Sequence, residues 1–175
     1  VKSGAVCVAY ETITGPNGGL PLLAPMSEVA GRMSIQAGAA HLEKSKGGMG
    51  VLLGGVPGVE PAHVLILGAG VVGTHAMQMA IGMGARVTVL DKNVDRLRQI
   101  DMVFGNRVKT LYSNAQTLEE KVLESDLVIG GVLVPGAAAF WGTAAAAVAA
   151  SAAAAASVAA EAAATAAGVA SLAGT

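Results

Sequence analysis

A chain of 175 residues fits one domain at about 100 to 200 residues per domain, which argues against a two-domain enzyme. Its 11 Lys and Arg against 12 Asp and Glu give a net charge of −1 with the signs interspersed, which argues against nucleic acid or an anionic membrane as partner. The 53% hydrophobic and 13% charged fractions average over two unlike parts. Residues 137–175 hold 23 alanines in 39 positions and one ionisable side chain, Glu161, whereas residues 1–136 carry the other 22 charged side chains. The first part reads as a globular domain and the second as an alanine-rich low-complexity tail. Cys7 is the sole cysteine, so it has no partner for an internal disulfide and reads as a buried thiol in a reducing, cytoplasmic setting. No signal-peptide pattern follows Val1, so nothing directs export.

In chain order, Leu20 to Pro25 carries two prolines and reads as a connection, because proline removes a donor and pushes its predecessor into extended backbone. Ser27 then suits a helix N-cap, and Met26, Ala30, Met33, Ala37 and Ala40 recur at helical spacing. The expectation is a helix over residues 27–44, ended at Gly47-Gly48, with the methionines in the core rather than at a subunit contact. Residues 47–61 hold six glycines and two prolines, which suits a loop that packs closely against its surroundings.

From Val64 the pattern alternates. Val64 to Leu67 is an apolar run typical of a strand covered on both faces, and residues 71–83 read as a helix stopped at Gly84. Arg86 to Asp91 is a β-branched strand, 94–104 a helix, 108–112 a strand, 117–124 a helix and 127–130 a strand. Strand and helix in strict alternation with short connections predict an α/β fold with a parallel sheet and right-handed crossovers.

Gly68-Ala69-Gly70-Val71-Val72-Gly73 matches G-x-G-x-x-G between the first of these strands and its helix. The first glycine turns the chain, the second admits a pyrophosphate to the backbone, and the third lets helix and strand pack closely. The helix start that follows attracts an anion through its free N–H groups and dipole. Asp91 lies 23 residues after Gly68 at the end of the next strand, near the spacing of about 20 at which an acid binds the adenosine ribose hydroxyls. A carboxylate there repels a 2′-phosphate, which points to NAD rather than NADP, with Lys92 partly offsetting the repulsion. Ligands of open α/β sheets sit beyond the carboxyl ends of the strands, so the glycine turn, Asp91, the segment after Tyr112 and Gly130 to Pro135 should converge on one crevice. Ser113 and Asn114 either contact adenine or cap the next helix, and Val132 and Leu133 either pack on the nucleotide or fill the core. Arg96 is a helix cation near Asp91. His41, His63 and His75 read as helix or surface residues without a shared carboxylate, and no catalytic or metal-binding set emerges.

Three further segments carry a family resemblance: Leu20 to Arg32 (LPLLAPMSEVAGR), Leu52 to Val59 (LLGGVPGV) and Asp126 to Ala137 (DLVIGGVLVPGA). Joined to the glycine turn and to Val87 through Asp91, they resemble the NAD domain of bacterial alanine dehydrogenases over about residues 5–137. The resemblance implies a Rossmann-type sheet, here incomplete, in a domain over 1–136. It also implies oxidation of L-alanine with NAD and water to pyruvate, ammonia and NADH, and a homo-oligomer, hexameric in the family. Cofactor contacts carry over to Ser27, Gly68, Gly70, Gly73, Asp91, Arg96, Ser113, Val132 and Leu133. The family draws its catalytic His, Lys and Arg from an N-terminal substrate domain and an Asp from a later segment. None of those motifs is present, so the chain is expected to be a catalytically incomplete piece. The NAD-binding part of proton-translocating transhydrogenase shares the glycine turn and is the close alternative, and a non-catalytic NAD-binding module is the other. Residues 137–175 are expected to be a weakly anchored helix. A membrane span is disfavoured there because alanine gains little in a bilayer.

Overall fold

The computed structural model describes residues 4, 6 and 8–132; Cys7, Leu133 and the alanine-rich tail lie outside them. Four strands, β1 (His63–Leu67), β2 (Arg86–Asp91), β3 (Val108–Tyr112) and β4 (Leu127–Gly130), alternate with α2 (Val71–Gly82), α3 (Val94–Phe104) and α4 (Ala115–Leu123). A longer helix, α1 (Ala24–His41), precedes them. The sheet is entirely parallel in the order β3-β2-β1-β4. Its strands start and stop almost where the sequence pattern places them, because short apolar β-branched runs between polar or turn residues admit few other arrangements.

Chain order runs outward from β1 through β2 to β3 and then returns to the other side of β1 for β4. That reversal opens a gap above the carboxyl ends of β1 and β4, the place where open α/β sheets bind ligands. Val64, Ile66, Val87, Val89, Leu127 and Ile129 face α1, α2 and α3 in the main core, while Leu65, Leu90 and Val128 pack with Leu118 and Val122 of α4 on the other face.

Three expectations about α1 are corrected. The helix starts at Ala24 with Pro25 in its first turn, and Leu23, not Ser27, occupies the cap position. Proline fits there because a first-turn N–H has no partner to lose. The helix also ends at His41, before a short 3-10 turn over Lys44–Lys46 that Gly47 closes at φ +84°. The buried face is the one with the small side chains, Gly31, Ser34 and Gly38 together with Ile35. Met26 and Met33 are 47% and 58% exposed instead of lying in the core. Steric fit explains this choice. A Cβ on Gly31 would run into the Val72 carbonyl, and one on Gly38 into the Leu127 side chain, so only glycines let α1 lie this close to α2 and β4.

His63 is likewise not a surface residue, being 5% exposed at the start of β1. Its Nδ1 lies 3.1 Å from the Glu124 carbonyl and its Nε2 lies 2.8 Å from Thr88 Oγ1. A carbonyl only accepts, so Nδ1 carries the proton and Nε2 accepts from the Thr88 hydroxyl. The His63 backbone N–H donates to Asp126 Oδ2 at 2.7 Å, which ties the starts of β1 and β4 together.

Candidate functional site

The crevice at the β1/β4 reversal is about 630 Å³ in volume. Its floor is the turn between β1 and α2, where Gly68 at φ +96° adopts a conformation that L side chains rarely take. A Cβ on Gly73 would strike the Gly68 carbonyl, whereas one on Gly70 would meet nothing within 4 Å. The three glycines therefore differ in purpose: Gly68 permits the turn, Gly73 lets the helix close onto it, and Gly70 leaves open space over the start of α2. Gly70 is the N-cap of α2 and offers no side-chain cap, so the first N–H groups of that helix lack intrahelical partners and favour an anion.

Asp91 stands at the end of β2, half-buried. Its Oδ2 accepts from the Ala69 N–H and its Oδ1 from the Asn93 N–H, each at 2.7 Å. A carboxylate has about four acceptor sites, so both oxygens retain capacity for a diol in the crevice. Lys92 lines the same space; with Asp91 it makes up the ionisable lining among the described residues.

Ser27, Gly68, Gly70, Asp91, Ser113 and Val132 all line this one crevice, although Ser27 comes from α1 and Val132 from beyond β4. Gly73 sits behind the turn. The Arg96 guanidinium is outside the lining and is bonded to the turn itself, through Nε to the Ala69 carbonyl at 2.6 Å. Leu133 lies outside the described residues. Of the pair after Tyr112, Asn114 is the cap of α4, its Oδ1 accepting from the Thr117 N–H at 2.8 Å, and Ser113 is left to the crevice. His75 is turned toward Gly31 of α1 and does not line the crevice.

Sequence reasoning overlooked Leu20, Leu23, Ala24 and Leu118, which supply apolar walls, and Thr74, which bonds to the turn from below. Nothing in their own spacing marks them. The walls come from segments that meet only in three dimensions, and Thr74 falls just past the last position of the glycine pattern.

Residues 34–150 match the family described as alanine dehydrogenase/PNT, C-terminal domain. The chain is 65% identical over 139 residues to alanine dehydrogenase from Halomonas elongata, covering 79% of this chain and 38% of that protein. The solved structure of an L-alanine dehydrogenase superposes with a TM-score of 0.71 at 59% identity, covering 74% of this chain and 36% of that one. Transhydrogenase from Sinorhizobium meliloti aligns with a TM-score of 0.52 at 20% identity over 66% of this chain and 34% of that one, a likeness of fold. The chain thus spans little more than a third of the length of the alanine dehydrogenases it matches. Fold, glycine turn and sequence agree that the chain belongs to the alanine dehydrogenase/PNT C-terminal domain family.

Proposed function

We propose that this chain is the NAD-binding domain of an L-alanine dehydrogenase, in which L-alanine, NAD and water are converted to pyruvate, ammonia and NADH. The observation that carries the reading is the pairing of an open Gly70 at the start of α2 with an Asp91 carboxylate in the same crevice. In this reading the α2 N–H groups hold the pyrophosphate, Asp91 accepts from the adenosine ribose, and Ser113 and Val132 border the nucleoside. Ser27 closes the crevice from the α1 side. NAD supplies the hydride acceptor when bound.

The residues fit that cofactor chemically. Neutral N–H groups and a helix end suit the pyrophosphate, and the carboxylate suits a free 2′-hydroxyl while repelling a 2′-phosphate. In this reading Asp91 and Lys92 serve binding, and the acid and base that the reaction needs come from groups outside the crevice lining. A homo-oligomer in the cytoplasm completes the proposal. The outward-facing Met26 and Met33 of α1 are consistent with subunit contact, and the lone Cys7 with a reducing compartment.

Calorimetric titration of the chain and of Asp91→Ala with NAD and NADP tests the proposal. NAD should bind the parent, NADP should bind at least about tenfold more weakly, and the variant should lose about tenfold or more in NAD affinity. Equal affinity of the parent for the two dinucleotides, or undiminished binding by the variant, would contradict the ribose assignment.

A further inference from the structure

The peptide units of the glycine turn are gripped from behind as well as from the side. Asp91 takes the Ala69 N–H at 2.7 Å, and Arg96 Nε donates to the Ala69 carbonyl at 2.6 Å. Arg96 Nη2 donates to Thr74 Oγ1 at 2.7 Å, and the Thr74 hydroxyl in turn donates to the Gly70 carbonyl at 2.7 Å. Gln99, farther along α3, accepts from Arg96 Nη1 at 2.8 Å and steadies the guanidinium. Thr74, Arg96 and Gln99 are all outside the crevice lining.

Arg96 occupies the first turn of α3, where its own N–H donates to the cap Asn93. The positive end of a helix disfavours a cation, so helix electrostatics do not explain an arginine there. Its three bonds to the turn and to Thr74 and Gln99 do.

We propose that Thr74 and Arg96 are positioning residues of the nucleotide site, forming a latch that holds the Ala69 and Gly70 carbonyls back from the crevice. The inference rests on the nucleotide-binding reading above and deepens it. A carbonyl oxygen repels an anion and an N–H attracts it; the Gly70 carbonyl also takes the Thr74 N–H at 2.9 Å as the first bond of α2, so the hydroxyl reinforces it, whereas the Ala69 carbonyl is held by side chains. With both carbonyls engaged from behind, the turn holds its N–H groups ready before the ligand arrives, and binding has less ordering to impose. Arg96 thus acts on the nucleotide through Ala69 and Thr74 rather than by touching it.

Amide hydrogen exchange on the ligand-free chain reads the latch without any nucleotide. Thr74→Val removes the hydroxyl at constant shape, Arg96→Gln removes the charge, and Thr74→Ser restores the hydroxyl. The Ala69 and Thr74 amides should exchange about tenfold faster in the first two variants and at the parent rate in Thr74→Ser, with Val64 to Leu67 protected throughout. Titrations with ADP and with adenosine complete the test. Each of the first two variants should weaken ADP about tenfold and leave adenosine within about twofold, and the double variant should bind ADP no more weakly than the weaker single variant.

Unchanged exchange at Ala69 in both variants overturns the latch. So does a multiplicative loss in the double variant, or an equal loss for ADP and adenosine, which would make Arg96 a direct nucleoside contact. Loss of β1 protection in both variants also overturns it, since the pair would then brace the fold and not the site. A parent chain that binds no ADP contradicts the nucleotide reading itself, and the exchange data judge the latch separately.

Discussion

Asp91 combines a structural role with a place in the crevice lining. Its two oxygens bind the N–H groups of Ala69 and Asn93, so the carboxylate fixes the glycine turn against the β2 end without any ligand. Asp91→Asn keeps the shape but sets an amide NH2 against one of those donors. The variant is expected to lose about 1–3 kcal/mol of stability, read by urea unfolding, as well as NAD affinity. His63 makes a different residue-scale prediction. Burial lowers its pKa first, with Arg86 acting in the same direction, against the opposing pull of the Glu124 carbonyl and of the Glu124 and Asp126 charges. A folded pKa below the unfolded value of about 6.5 means that the His63 contribution is complete above that pH and is lost as pH falls from there through the folded pKa. Melting temperature should therefore drop on acidification below about pH 6.5, and less steeply in His63→Gln. The place of Asp91 in the crevice was legible because it follows from spacing along the β1-α2-β2 run. That of His63 was not, because Thr88 and Glu124 lie 25 and 61 positions away and only the folded sheet assembles them.

At the scale of elements, α1 is seated by what its side chains lack. Gly31 faces the Val72 backbone and the His75 Cβ, and neither can yield without moving α2. Gly31→Ala is expected to cost about 1–3 kcal/mol by overpacking, measured by denaturant titration. Gly82, exposed at the end of α2 with nothing within 4 Å of a Cβ, gives the opposite result: Gly82→Ala should gain up to about 1 kcal/mol from helix propensity. The periodic stripe Met26, Ala30, Met33, Ala37 and Ala40 misled the sequence reading because periodicity weighs apolar size, while the buried face was chosen for closeness of approach. The strands and α3 were easier to read. Val87 to Leu90 is an apolar, β-branched run buried along its length, and Leu97 and Ile100 form the buried stripe of α3, so local pattern and tertiary burial agree there, whereas the edge strand Val108 to Tyr112 buries only Val108 and Val94 is exposed.

At the scale of the whole molecule, the fold brings residues from six separate segments to one crevice. The glycine turn, the β2 end, the β3 end and the segment after β4 meet there because β4 returns to the far side of β1. This convergence was foreseeable from strand order rules, whereas the apolar walls from Leu20, Leu23 and Leu118 required the structure. With Asp91 and Lys92 as the ionisable lining among the described residues, the 175-residue chain is expected to bind NAD without reducing it when L-alanine is added, as followed by NADH absorbance. The most direct test of the account is an amide chemical-shift map of the labelled chain on addition of NAD. Shifts concentrated at Gly68 to Gly73, Asp91, Ser113 and Val132 are the predicted result. No shifts, or shifts centred on His63, Arg86 and Lys109 at the opposite end of the sheet, would contradict it.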